Sequence, residues 1–221
     1  MPWVLPIIHP ASIVRGRWHE EPAQIVYLKR LASILRGENT PPVDDVDSPP
    51  PNTLLWPSLT TLKEFNDELT QEIDELYGLY WNTLSVDIES AGPFVTLIGI
   101  TALSTTRGEV GPTLSLPFRI QHGQNYWPTW EDHLSATTYL YSWLANPELD
   151  KVFHNGITYD VPILEEHGFI VLGELWDTMV MQHYMYPEMR KGLQYCATLY
   201  TGALYWKGML DPDKDEAEGK G

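Results

Sequence analysis

Leu84-Ser85-Val86-Asp87-Ile88-Glu89 is an apolar stretch that ends on two acids, Asp87 and Glu89. Read as a strand, it sends side chains two apart the same way, so both carboxylates project from one face while Ile88 turns into the core. Two carboxylates at that spacing raise each other's pKa when nothing stands between them. A divalent cation resolves the repulsion, and oxygen-only ligation suits Mg²⁺ or Mn²⁺. By itself the pattern also describes a strand end running into a solvated loop.

Outward from this pair, Val95 to Leu103 and Leu114 to Phe118 are rich in β-branched and apolar residues and are set off by Gly and Pro turns. With Leu84 to Ile88 they read as three strands with hairpin-length connections. Before them, Leu62, Phe65, Leu69, Ile73 and Leu76 mark one face of a helix, and Thr61 followed by Glu64 makes a capping box. After them come a helix over His133 to Leu144, a strand over Lys151 to His154, and helices over Val161 to Glu166, Thr178 to Tyr186 and Leu193 to Tyr200. The class is therefore α/β: three antiparallel strands, then alternating helix and strand, in a mixed sheet flanked by helices.

The second chemical signal comes about 70 residues later, in Val152-Phe153-His154-Asn155-Gly156-Ile157-Thr158-Tyr159-Asp160. A short buried strand enters a Gly-containing turn, and Asp160 stands at the start of a helix. The helix dipole alone would favour a carboxylate there, and Asn155 suits a turn.

Taken together, Asp87-Ile88-Glu89 and Asn155-x-x-x-Tyr159-Asp160 resemble the first two motifs of the DEDD exonuclease superfamily, most closely the proofreading domains of family A and phage-type DNA polymerases. The similarity runs from about Thr83 to Tyr200 and takes in Trp176-Asp177-Thr178-Met179. It implies a ribonuclease H-like sheet and a 3′→5′ exonuclease that hydrolyses phosphodiesters at DNA 3′ ends, single-stranded or frayed, with two Mg²⁺ or Mn²⁺ ions. On that resemblance Asp87, Glu89 and Asp160 are the catalytic metal ligands. Ser90, Asn155 and Tyr159 border the nucleotide, and Asp177 caps a helix outside the ligand set. A polymerase region would follow in the parent protein.

The family's third motif, a Tyr or His with an Asp four residues on, has no match: Tyr195, Tyr200 and Tyr205 are followed at that spacing by Leu199, Leu204 and Met209. The chain is expected to stop before it, leaving these 221 residues inactive or feeble while a longer parent is active. At the other end, Leu5-Pro6-Ile7-Ile8-His9-Pro10-Ala11-Ser12-Ile13-Val14-Arg15-Gly16 resembles the His-Pro loop of the uracil-DNA glycosylase superfamily. There His9 would stabilise a departing uracil anion, with Ser12 and Arg15 near the DNA backbone. An ordinary strand-turn-helix, with the helix over Pro22 to Arg36, explains the same residues.

Composition divides the chain into 1–36, a Pro- and acid-rich linker over 37–57, the main domain over 58–210, and an acidic tail over 211–221 that reads as disordered. The formal net charge of −16 excludes a tight nonspecific duplex binder. It leaves room for a nuclease, because bound metals supply the positive charge. One cysteine, Cys196, excludes an internal disulfide and a Cys-based zinc cluster. No apolar run approaches the roughly 20 residues of a membrane span. The expected setting is soluble, reducing and cytoplasmic, in a phage or bacterial host. Two alternatives stay open: a noncatalytic exonuclease-like module that binds DNA, and a glycosylase-related fragment.

Overall fold

Apolar strands with short connections pair with their sequence neighbours first, and the main sheet grows from such a meander. A computed structural model describes residues 28, 29, 32, 35–37, 52–74, 78–92, 94–120 and 123–201. His9, Ser12 and Arg15 lie outside the described residues, as do 202–221 and most of 22–36, where Leu28, Lys29, Ala32 and Leu35 are helical. The chain divides into two compact units, Pro49–Thr178 and a second formed by Met1–Ser48 with Met179–Gly221.

In the first unit, β4 (Thr83–Ala91), β5 (Phe94–Ser104) and β6 (Glu109–Pro117) form an antiparallel meander. Short β1 (Thr53–Leu54) joins β6 in parallel, so two residues of the Pro-rich stretch belong to the sheet. On the other side β7 (Asp150–Phe153) and β8 (Leu175–Asp177) run parallel to β4. The order is β1-β6-β5-β4-β7-β8. Counted from β4, the five principal strands stand three-two-one-four-five with only the second reversed, which is the ribonuclease H-like arrangement. A separate ribbon pairs β2 (Glu72–Asp74) with β3 (Gly78–Leu79).

The core lies on one face of the sheet. Leu84, Val86 and Ile88 from β4, Ile98 and Ile100 from β5, and Leu114 and Leu116 from β6 are buried with helices α1 (Leu59–Leu69) and α2 (Trp130–Leu144). Leu62, Phe65 and Leu69 supply the buried stripe of α1; Ala136, Leu140, Trp143 and Leu144 supply that of α2. Trp143 meets Phe65 edge-on at 5.1 Å and donates its indole N–H to Asn66 at 3.1 Å. The short helix α3 (Asp160–Glu166) adds Val161 and Leu164 to the same core.

Several boundaries differ from the sequence reading. The cap of α1 is Ser58, whose hydroxyl accepts from the Thr61 amide, and the helix ends at Leu69 with Thr70 as its C-cap. Ile73 therefore belongs to β2, since a shared spacing cannot carry a helix past a break in its backbone bonds. Likewise α2 begins at Trp130, because the Thr129 side chain caps the Asp132 amide. Leu175–Asp177, too short to show a period of its own, is a strand only because β7 offers an edge.

The second unit contains α5 (Leu193–Tyr200) and the part of α4 (Thr178–Met185) from Met179 onward. Met189 and Leu199 are buried there, with Tyr186 and Tyr195 packed against them. Gln182 accepts from the Tyr200 hydroxyl at 2.6 Å and donates to the Arg190 carbonyl at 3.3 Å.

Candidate active site

Strand alternation places Asp87 and Glu89 as the sequence requires: both are exposed, and Ile88 between them is buried. The geometry around them comes from what happens on either side of β4. Toward β7, pairing stops at Ser85↔Val152. Beyond that point the edge of β4 would carry an unmatched amide, and Asp160 takes it: its Oδ1 accepts the Ile88 N–H at 3.0 Å. One side chain 72 residues away replaces a strand carbonyl, so the start of α3 is held against the acid pair.

Toward β5, the register shifts between Glu89 and Ser90, whose partners are Leu97 and Val95. Thr96 is the extra residue of this β-bulge, and its hydroxyl donates to the Glu89 carbonyl at 2.9 Å. Bulges re-aim side chains at strand ends, and this one follows Glu89 directly. Ser90 reaches the Tyr159 hydroxyl at 2.9 Å, which joins two of the residues expected beside a nucleotide. The Tyr159 ring itself is exposed.

The turn before α3 is built to position Asp160. Asn155 is left-handed, with φ 66°, and its Oδ1 accepts from the Thr158 hydroxyl at 2.8 Å. Gly156 has no room for a Cβ, which would strike Phe153, and its carbonyl accepts the Val161 amide at 2.8 Å. Asp177 is the residue whose role the sequence obscured. It is buried at the end of β8, and its carboxylate accepts the amides of Asn155 at 3.0 Å and Ile157 at 3.2 Å. It thus braces the turn of a neighbouring strand. An acid closing an apolar three-residue segment was the available signal, and it shows only once β8 is seen to lie beside β7. Thr178 completes the brace, donating to the Phe153 carbonyl at 3.1 Å and meeting His154 Nδ1 at 2.8 Å.

Asp160 is only 4% exposed. Burial pushes its carboxyl above the ordinary carboxylate range; the charges of Asp87 and Asp177 push it the same way, while the Ile88 amide pulls it down. A buried acid facing two other acids is a group whose ionised form calls for a cation, and three carboxylates form a hard-oxygen donor set matching Mg²⁺ or Mn²⁺. They do not stand as a finished cage: among the described residues no group of three or more His, Cys, Asp or Glu is gathered closely enough to hold a metal ion.

The chain is similar to several solved structures. The catalytic core of RRP6 from Trypanosoma brucei is 17% identical with a TM-score of 0.49, over 78% of this chain and 40% of that one. RNase D from Trypanosoma brucei in complex with RNA U12 is 15% identical with a TM-score of 0.46, over 68% and 47%. NrnC from Brucella melitensis, seen with bound Mg²⁺, is 16% identical with a TM-score of 0.40, over 69% and 60%. The chain thus spans between two fifths and three fifths of those proteins. Neither a protein-family model nor a curated protein matches the sequence. Among the described residues no helix is long and apolar enough to cross a membrane.

Proposed function

We propose that this chain carries the catalytic end of a metal-dependent 3′→5′ exonuclease acting on single-stranded or frayed 3′ termini, as part of a phage-type DNA polymerase. The observation that carries the reading is the bond from the Ile88 amide to Asp160, which docks a buried acid beside the exposed acids Asp87 and Glu89. Those three side chains would hold the metal. When bound, the metal lowers the pKa of an attacking water and offsets charge on the phosphate.

The remaining residues prepare the ground. Asp177, Gly156 and Asn155 fix the turn, so that Tyr159 and Asp160 arrive together on the β4 edge. The Tyr159 ring, exposed and tethered through Ser90, offers a face on which a terminal base can stack. The carboxylates themselves repel a phosphate, so substrate binding there depends on metal.

A second reading follows from the open spacing of the acids: a module that binds nucleic-acid ends without hydrolysing them. Calorimetric titration with Mn²⁺ separates the readings when paired with digestion of 3′-labelled DNA and RNA strands. On the exonuclease reading the wild type binds Mn²⁺, and Asp87→Ala weakens that binding by about tenfold or more. Mn²⁺-dependent digestion vanishes in the variant. Unchanged Mn²⁺ binding by Asp87→Ala would sink the exonuclease reading; Mn²⁺-dependent end binding without digestion would favour the second.

A further inference from the structure

On the helical side of the same sheet end lies a basin that the carboxylate site does not use. Its lining comes from β5, the segment after β6, α2 and the end of α3: Val95, Phe118 and Phe169 are buried beneath it, and Phe94, Arg119, His133 and His167 stand around it. Its volume is about 190 Å³. That is below the roughly 300–1,000 Å³ of pockets for drug-sized ligands, so it suits one ring system with a substituent left outside.

The rim carries one permanent cation, Arg119, in a chain whose formal net charge is −16. Among the described residues no carboxylate lies within ion-pair distance of Arg119. Its guanidinium stands 5.3 Å from the centre of the Phe94 ring and donates to the Gly123 carbonyl at 3.0 Å, which leaves other N–H groups to offer. Its backbone is fixed, because the amides of Phe118 and Arg119 both donate to the Thr96 carbonyl, at 2.8 and 3.1 Å. His133 is clamped between Trp130, stacked at 5.7 Å, and Phe118, edge-on at 5.6 Å. His167 gives its Nδ1–H to the Ile163 carbonyl at 2.8 Å, which makes Nε2 the lone-pair nitrogen of the neutral ring.

The geometry points to a binding site for one nucleotide unit, with the base on the apolar floor of Val95, Phe118 and Phe169 and the phosphate on Arg119, which Phe94 holds from one side. An aromatic wall beside a guanidinium that meets no carboxylate among the described residues selects a flat ring that carries an anion, while the two imidazoles add hydrogen-bonding edges for the base. The nucleotide has two sources with the same chemistry, a free mononucleotide or one unit of a single strand. The site owes nothing to Asp87, Glu89 or Asp160, so it stands or falls apart from the exonuclease reading.

Calorimetry on the full chain with Asp87→Ala and Glu89→Ala, in EDTA, removes the metal-dependent contribution. The probes are adenosine 5′-monophosphate, adenosine, inorganic phosphate and a four-residue oligodeoxyadenylate. Binding of the monophosphate, or of the oligonucleotide alone, at least tenfold tighter than adenosine and phosphate is the expected result; the first names a free nucleotide and the second a strand as occupant. Arg119→Ala and Phe94→Ala, both at exposed positions and checked for unchanged melting, should each weaken the tighter probe at least fivefold. Equal binding of phosphate and nucleotide, no binding by any probe, or variants that bind like the parent would overturn the assignment.

Discussion

Asp160 is costly to the metal-free protein because it is an acid enclosed near two others. The sign of its effect follows from linkage. With a folded pKa raised above the ordinary 3.8 of an aspartate, the folded chain keeps a proton that the unfolded chain has released. The group therefore subtracts stability as pH rises through that value and onward. Asp160→Asn keeps an oxygen for the Ile88 amide and removes the charge. In EDTA it is expected to melt higher than wild type at pH 7, and the gain should fade as pH falls toward 3.8. Mn²⁺ should raise the melting temperature of wild type and leave the variant unmoved. A variant that melts lower at neutral pH would show that the carboxylate stabilises the turn more than its burial costs.

At the scale of elements, the join between α2, β7 and β8 depends on a buried cation. Lys151 points its ammonium at the carbonyls of Asn146, Leu149 and Leu172, each 2.6 Å away, matching three donors to three acceptors. Lys151→Met keeps the length of the side chain and strands those carbonyls. A loss of about 2–4 kcal/mol is expected in chemical denaturation. Burial draws the Lys151 pKa down to about 8 from 10.5. Between those values the unfolded chain holds a proton that the folded chain has given up, so wild type gains stability as pH rises through the window. The penalty of the variant should grow over the same range; a penalty that shrinks would contradict the assignment. None of this was legible from the sequence, where Lys151 reads as an ordinary strand residue beside an acid. The caps of α1 and α2 escaped for a related reason. Ser58 and Thr129 precede the apolar periodicity, and only the bonds to the Thr61 and Asp132 amides reveal where each helix begins.

For the whole molecule, the sequence was most readable where a face repeats every second residue. The meander and the outward aim of Asp87 and Glu89 followed from that period alone. What it could not disclose is adjacency between distant segments: that β7 abandons β4 after Ser85, that β8 exists, and that Asp177 braces the turn carrying Asp160. These are outcomes of strand order, and strand order is not written in any one window of residues. The same separation has a kinetic side. The β4–β5–β6 hairpins close over short loops, whereas the Asp160–Ile88 bond spans 72 residues and closes a far longer one. The carboxylate site is therefore expected to be completed after the main folding barrier. A cation that recognises only the finished site should slow unfolding and leave the folding rate untouched, so that chevron plots with and without Mn²⁺ differ in one arm.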